Sequence, residues 1–223
     1  MLAKDVMNEG VVSIAAEATV LEAAVLLANC RVSAMPVLDK DGVMLGIVSE
    51  ADLLPFAGLE ATVTAGLPDA ARNRRVAEIM TRDVITVEAN APLKDVVVLM
   101  AGKRVKRLPV RSGQSIVGII SRVDLMRVIA ARATTAEAAS ATYDSDDAAL
   151  RRAVLAAVQG QSWSTAQHFD VVVIAGTIHL WGIVSNRQAL DSYRNSAKNL
   201  PGAKAVVSHM QVMRHGIHPV GGD

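Results

Sequence analysis

Two short segments of the chain carry the same polar residues at the same spacing, and these residues could bind a ligand. Residues 46–52 read Gly-Ile-Val-Ser-Glu-Ala-Asp and residues 118–124 read Gly-Ile-Ile-Ser-Arg-Val-Asp. In both, an apolar run ends at a serine and an aspartate follows at a predicted helix start. A carboxylate there is favoured by the helix dipole, and because it only accepts hydrogen bonds it suits the two hydroxyls of a vicinal diol. The alternative is that Asp52 and Asp124 merely cap their helices.

The two segments belong to a longer internal repeat. Residues 31–37 (Arg-Val-Ser-Ala-Met-Pro-Val) return 73 residues on, from 31 to 104, as Arg-Val-Lys-Arg-Leu-Pro-Val, and Met7 aligns with Met80. The turn at 39–42 is one residue longer than its counterpart at 112–114, a change that turns tolerate. A repeat at a fixed period indicates one structural unit used twice.

Each copy is predicted to fold as strand, helix, strand, strand, helix. Residues 11–14 and 84–87 are short β-branched runs, and apolar positions three and four apart then predict helices from Val20 and Leu93. Thr19 can cap the first helix, and Pro92 suits the start of the second. A hairpin with a glycine-containing turn follows in each copy, and a last helix begins at the aspartate.

Over residues 1 to 130 these features resemble a tandem pair of CBS domains, also called a Bateman module. The resemblance implies an α/β (α+β) fold in which two βαββα repeats form one module. It also implies an adenine-nucleotide ligand, AMP, ADP or ATP, or a related adenosyl compound. In that family the aspartate accepts hydrogen bonds from the ribose and the serine or threonine contacts phosphate, roles that carry over to Asp52 and Ser49 and to Asp124 and Ser121.

The residues implied to bind the ligand are more basic in the second copy. Lys106 and Arg107 stand where the first copy has Ser33 and Ala34, and Arg122 replaces Glu50, so phosphate is expected to be held mainly by the second copy. The alternative is a solvated basic surface, where single charges contribute little. The complete implied set is Ser13, Val32, Ser33, Ser49, Asp52, Thr86, Lys106, Arg107, Ser121, Arg122 and Asp124.

The C-terminal region is predicted to be a separate small domain of order αββαβ. Its segment Gly-Thr-Ile-His-Leu-Trp-Gly at 176–182, with Pro-Gly at 201–202 before a last strand, resembles the BON domain. That family is associated with phospholipid or envelope interactions. Strand alternation places Ile178 and Leu180 on one sheet face and His179 and Trp181 on the other. The second face is either an exposed partner surface or covered by a loop that carries Trp163.

Composition limits the remaining possibilities. The formal net charge of +1 implies no attraction to nucleic acid, and no apolar run approaches the ~20 residues of a membrane span. No export signal is visible, so the sequence predicts a cytoplasmic protein. The single cysteine, Cys30, is expected to pack in or beside the core. Because His215 and His218 lack a third ligand, they do not predict a zinc site.

The sequence therefore predicts CBS domain 1 at 1–60, CBS domain 2 at 74–131, a linker at 132–146, a BON domain at 147–214 and a tail at 215–223. The favoured function is regulatory: the CBS pair senses an adenine nucleotide and modulates the BON domain. The alternative is a lipid- or envelope-associated adaptor in which the CBS pair is only a dimerisation scaffold. An enzyme is disfavoured because the sequence shows no third folded domain large enough for a catalytic core, and no catalytic cofactor is implied. The apolar helices also predict a homodimer through the CBS pair.

Overall fold

A computed structural model describes residues 1–56, 73–135 and 145–213 of the chain. Two compact units are present, Leu2–Arg122 and a second that begins at Val123. Most of the segment between the two copies, the middle of the expected linker at 132–146, and the tail with His215 and His218 lie outside the described residues. The domain boundaries expected from the sequence stay a prediction.

The first unit contains both copies of the repeat. Copy 1 comprises β1 Ile14–Ala15, α1 Val20–Cys30, β2 Ala34–Leu38, β3 Met44–Ser49 and the short helix α2 Glu50–Leu53. Copy 2 begins with the short helix α3 Val76–Ile79 and continues with β4 Val87–Glu88, α4 Leu93–Gly102, β5 Arg107–Ser112 and β6 Ser115–Ser121. A 3₁₀ turn at Ala3–Asp5 corresponds to α3.

The helix and hairpin predictions for the two copies are confirmed. Thr19 caps α1, since its hydroxyl oxygen accepts a hydrogen bond from the Glu22 amide at 3.2 Å, and Pro92 occupies the cap position of α4. The sheets have the orders β1-β2-β3 and β4-β5-β6, with the first pair parallel and the second antiparallel in each. The mixed α and β fold class expected from the sequence is the one observed.

The first strand of each copy is shorter than expected. Runs 11–14 and 84–87 were expected to form strands, but only Ile14–Ala15 and Val87–Glu88 pair with a neighbour. The amides of Val11 and Val84 donate instead to carbonyls two residues back, at 2.9 Å in both cases. The β-branched runs are therefore not strands over their full length, because local turns use the amides of Val11 and Val84 that a strand would pair.

The two copies exchange their N-terminal segments. Thr81 of copy 2 pairs with Ile47 of copy 1 through two backbone hydrogen bonds of 2.9 Å. Asn8 of copy 1 pairs in the same way with Ile119 of copy 2, at 2.9 and 3.0 Å. Val76 and Met80 accordingly lie in the core of copy 1, so each copy is completed by a segment of the other.

The exchange explains the glycine of each motif. A Cβ built on Gly46 would lie 2.7 Å from the Thr81 carbonyl oxygen and 2.8 Å from the Met80 sulfur. A Cβ on Gly118 would overlap the side chain of Met7. These glycines are required because a methionine of the other copy lies against the strand, which is a structural reason independent of any ligand.

Cys30 was expected to pack in the core or at its boundary; it is exposed and does not lie in the core. Position 30 continues the spacing of the buried residues Ala23 and Leu27, but α1 ends there. Arg31 then adopts a left-handed conformation with φ 52°, so the chain turns away before the cysteine reaches the core.

The second unit begins with the long helix that follows the second motif. Its elements are α5 Arg122–Thr134, α6 Ser145–Val158, β7 Gln167–Ile174, β8 Thr177–Val184, α7 Arg187–Lys198, β9 Ala205–Ser208 and β10 Gln211–Val212. Helix α5 extends past the expected domain end at 131. The last strand is split into β9 and β10, which both run parallel to β8, and the break faces Gly182, where φ of 147° distorts β8.

One face of the sheet formed by β7 to β10 forms the core of the second unit. Residues from α6 and α7, among them Val154 and Tyr193, pack against Ile178 and Leu180 of β8. Trp163 packs edge-on against Tyr193 with 5.0 Å between ring centroids, so its loop lies on this helical side. The expectation that Ile178 and Leu180 share a buried face is confirmed.

Candidate functional site

In copy 1 the motif aspartate caps its own helix. Ser49 ends β3 and Asp52 is the third residue of α2. One carboxylate oxygen, Oδ2 of Asp52, accepts hydrogen bonds from the Ser49 amide at 2.8 Å and from its hydroxyl at 2.6 Å. Ser49 is therefore the N-cap of α2, and Asp52 is not the N-cap but completes a capping box from the third helical position. The same contact orients its carboxylate at the end of the strand.

In copy 2 the equivalent aspartate is held differently. Asp124 is the third residue of α5 and is only 7% exposed. Its Oδ1 accepts a hydrogen bond from Nη1 of Arg127 at 2.9 Å, one helical turn onward. The copies thus share the aspartate, and in copy 2 its carboxylate contacts Arg127.

The segment before the hairpin lies beside the motif in both copies. The amide of Glu50 donates to the Ser33 carbonyl at 3.1 Å, and the amide of Arg122 donates to the Lys106 carbonyl at the same distance. Across the hairpins, Ala34 pairs with Ser49 and Arg107 pairs with Ser121. The predicted residues from these two segments are therefore brought together in each copy.

The basic residues of copy 2 are not equivalent to one another. Arg107 is half-buried and directly opposite Ser121, whereas Lys106 is exposed. Arg122 is exposed, and its Nε donates to the Val105 carbonyl at 3.1 Å. Arg107 is therefore the cation best placed to act beside Ser121.

Three predicted residues are placed differently from this group. Ser13 precedes Ile14, which pairs with Val37 near the far end of β2 from the pair Ala34–Ser49, and Thr86 has the equivalent place in copy 2. Val32 packs against the core of copy 1. The structure does not bring Ser13 next to Ser49 within copy 1.

Sequence reasoning missed a group of charged residues that continues from Asp124. Nη1 of Arg127 also donates to Oδ2 of Asp170 on β7 at 2.8 Å. Nη2 of Arg151 on α6 lies 3.5 Å from the other oxygen of Asp170. The spacing of Asp124 and Arg127 was a local signal for the first contact, but nothing in the sequence links them to Asp170.

Comparison with known proteins identifies both parts of the chain. Models of the CBS domain match residues 3–57 and 76–131. The chain is a CBS-domain protein. A model of the BON domain matches residues 146–214, so a BON domain follows the CBS pair. Both family assignments made from the sequence are confirmed.

The relatives resemble the CBS part of the chain. The CBS domain-containing protein YhcV of Bacillus subtilis is 30% identical over 122 residues, which cover 55% of this chain and 81% of that protein. Hypoxic response protein 1 of Mycobacterium tuberculosis is 29% identical over 129 residues, 56% of this chain and 82% of the relative. Among solved structures, an AcuB protein of Vibrio cholerae aligns with a TM-score of 0.51 at 26% identity, covering 59% of this chain and 91% of its own.

The second sheet face of the BON domain matches neither of the two alternatives from the sequence: it is buried at His179 and half-buried at Trp181. His179 is fully buried; its Nε2 lies 2.9 Å from the hydroxyl of Thr135, just after α5. Its Nδ1 lies 3.1 Å from Nε2 of His209, and the ring of His209 stacks on Trp181 at 4.5 Å between centroids. The loop of Trp163, the alternative cover, lies on the opposite side.

A polar groove lies elsewhere on the BON domain, between α7 and β9. It has a volume of about 470 Å³ and is lined by Arg194, Lys198, Lys204 and Asp191, among other residues. Three cations against one carboxylate give it a positive character. Within the described ranges, no helix has both the length and the apolar character that crossing a membrane requires.

Proposed function

We propose that the CBS pair binds an adenine nucleotide or a related adenosyl ligand and that the BON domain carries the regulatory output. The observation that supports this most is the duplicated arrangement of a strand-end serine, a helix-start aspartate and the segment before the hairpin. In both copies the same 3.1 Å backbone hydrogen bond joins that segment to the helix start. The role is regulatory, and no catalytic step is assigned to the chain.

The chemistry of the motif fits a ribose phosphate. A carboxylate has about four lone-pair sites, so Asp52 or Asp124 can accept hydrogen bonds from both ribose hydroxyls. The hydroxyl of Ser49 now donates to Asp52, and a phosphate oxygen would take over that hydrogen bond. Arg107, opposite Ser121, would supply the charge that holds phosphate in copy 2.

Calorimetric titration of the full chain with AMP, ADP, ATP and S-adenosylmethionine tests this proposal. We expect at least one to bind, and Asp→Asn at positions 52 and 124 together to weaken binding by about 1.5 to 3 kcal/mol, the value of a hydrogen bond to a charged group. Unchanged affinity in a double variant that still folds contradicts the assignment of the aspartates. If none of the four compounds binds, the nucleotide proposal fails.

We also propose that the CBS pair forms a homodimer through its helices. Leu21 and Val25 of α1 and Val97 and Val98 of α4 are 39%, 50%, 46% and 70% exposed. Such side chains on two equivalent helices suit a second copy of the same surface, the commonest closed arrangement. Light scattering should report a dimer at micromolar concentration, and Val25→Lys with Val98→Lys should give a monomer. A monomeric wild-type chain refutes this.

The groove of the BON domain favours one alternative output, binding of an anionic phospholipid headgroup. Its cations Arg194, Lys198 and Lys204 provide the charge complementarity. Co-sedimentation with phosphatidylglycerol vesicles, against phosphatidylcholine vesicles as control, tests it. Retention only on the anionic vesicles, lost in Lys198→Glu with Lys204→Glu, supports the lipid role, whereas equal recovery from both excludes it.

A further inference from the structure

Arg127 joins the aspartate of the second motif to the BON domain through a single nitrogen atom. Its Nη1 lies 2.9 Å from Oδ1 of Asp124 and 2.8 Å from Oδ2 of Asp170. The three side chains are 18%, 10% and 15% exposed. Charged groups so well removed from water interact strongly, and moving one partner changes the hydrogen bonding of the other.

Asp170 is itself fixed from the side of the BON domain. Its Oδ1 accepts the Val171 amide at 2.8 Å, and Arg151 approaches the same oxygen at 3.5 Å. The Nε of Arg151 donates to the Val171 carbonyl at 2.9 Å, so this arginine is anchored on β7. Burial raises the pKa of the Asp170 carboxyl, while the charges of Arg151 and Arg127 oppose that change. Asp170 thus holds Arg127 from strand β7.

Among the described residues, copy 1 shows no counterpart of this connection. Asp52 aligns with Asp124, so Pro55 stands where copy 2 has Arg127. Asp52 is held by Ser49, which belongs to its own motif. The contact to the BON domain is therefore a specific property of the second motif.

We propose that Arg127 is a positioning residue for the ligand-binding carboxylate of Asp124 and that Asp170 makes ligand affinity at this motif depend on the BON domain. The proposal rests on the ribose-binding role proposed for Asp124. Arg127 keeps that carboxylate in one orientation, so the ligand meets an ordered acceptor. Coupling of binding free energies is reciprocal, and a ligand at Asp124 therefore strengthens the contact between α5 and β7 by the same factor.

Titration of the full chain with AMP and ATP, in wild type and in Asp170→Asn, tests the proposal. The substitution keeps the shape of the side chain and removes its charge. We expect it to weaken nucleotide binding about five- to thirtyfold, the usual range of coupling between sites. The matched control is Asp147→Asn, because Asp147 is also a buried carboxylate of the BON domain but holds the turn amides of Ala175 and Gly176, at 2.9 and 2.8 Å. That control should leave affinity unchanged.

Two further measurements separate positioning from general destabilisation. In an Asp52→Asn background the effect of Asp170→Asn should be as large as in wild type, since the first motif is not coupled. With 2′,3′-dideoxy-AMP, which lacks the diol, the two proteins should bind equally. Arg127→Met should weaken AMP binding at least as much as Asp170→Asn, and Asp170→Asn carries the test if Arg127→Met does not fold.

The possible results are distinguishable. If wild type binds AMP or ATP and Asp170→Asn binds as tightly, the coupling is overturned while nucleotide binding stands. Equal losses for Asp170→Asn and Asp147→Asn, or an equal loss with the dideoxy nucleotide, show destabilisation of the BON domain and also overturn it. A wild-type chain that binds neither nucleotide removes the proposed function and this inference together.

Discussion

The described contacts of the motif aspartate stay within the motif in copy 1 and extend beyond it in copy 2. In copy 1, Asp52 receives both hydrogen bonds from Ser49, three residues before it. In copy 2, Asp124 is held by Arg127, which also reaches Asp170 on another element. The aspartate of copy 1 is thus bound within its own motif, whereas Arg127 links the aspartate of copy 2 to Asp170 of the BON domain. A duplicated sequence can keep its chemistry while only one copy acquires a connection to the rest of the chain.

The largest expected effect comes from removing the connection. Arg127→Met leaves Asp124 and Asp170 facing each other without their shared cation, and breaking such a buried pair costs about 3 kcal/mol or more. The matched control is Arg111→Met, since Arg111 pairs with Glu88 at 3.0 Å but both side chains are about half exposed. That change should cost less than ~1 kcal/mol. Urea unfolding measures both; equal losses would show that the Arg127 pair is an ordinary surface contact.

Replacing the motif glycine by alanine should also destabilise the two copies by different amounts. Gly46→Ala brings Cβ against the Thr81 carbonyl as well as Met80, and overpacking against backbone costs about 2 to 3 kcal/mol. The three atoms nearest to a Cβ at Gly118 all belong to the side chain of Met7, so Gly118→Ala is expected to cost less, about 1 kcal/mol.

Double variants test the cause of that difference. Met7→Ala should relieve Gly118→Ala, whereas Met80→Ala should leave most of the cost of Gly46→Ala, because the carbonyl remains. Thermal unfolding of the four combinations for each copy gives the coupling. Full relief in both copies would contradict the backbone clash.

Among the described residues, the buried His179 and the partly buried His209 both lie in the second unit, so the stability of this unit should depend more strongly on pH. Burial, with a smaller contribution from His209, lowers the pKa of His179 to about 4, and burial also lowers the pKa of His209. A histidine with a lowered folded-state pKa contributes stability that is present above its unfolded value of about 6.5 and is lost as pH falls toward 4.

The test is the melting temperature between pH 7 and pH 4.5 for wild type and His179→Gln. The wild type should lose stability more steeply with falling pH, because its unfolded chain binds a proton that the folded chain does not. Parallel curves for the two proteins would show that other groups cause the pH dependence.

The smallest expected effect is on nucleotide affinity, from a cation that copy 2 has and copy 1 lacks. Arg107→Glu, opposite Ser121, should weaken ATP binding roughly three- to tenfold relative to adenosine, since only the phosphate contact changes. The same charge in copy 1, Ala34→Glu opposite Ser49, should reduce the preference for ATP less. Equal losses for ATP and adenosine in Arg107→Glu would assign that residue to packing and not to phosphate.

Local patterns predicted the parts of the fold that depend on neighbours in sequence. Thr19, the hairpins and the alternation of Ile178 and Leu180 each follow from spacing within a few residues. The duplicated serine and aspartate were found in the same way, and their positions at a strand end and a helix start are confirmed.

The parts of the fold and of the candidate site that the sequence did not predict depend on contacts between residues far apart in the chain. The pairing of Thr81 with Ile47 and of Arg127 with Asp170 leaves no periodic signal in the sequence. His179 was placed on the correct sheet face, but its burial depends on Thr135 and His209. Which surface covers a polar residue is decided by tertiary packing, and alternation does not specify it.

The exchanged N-terminal segments determine whether one copy of the repeat can fold without the other. Val76 and Met80 complete the core of the other copy, so a single copy expressed without its neighbour lacks part of its own interior. A chain with one copy would therefore need a second chain to supply the missing segment, whereas the duplicated chain supplies it within one molecule. The same logic predicts that fragments 1–56 and 73–223, each incomplete, reassemble when produced together.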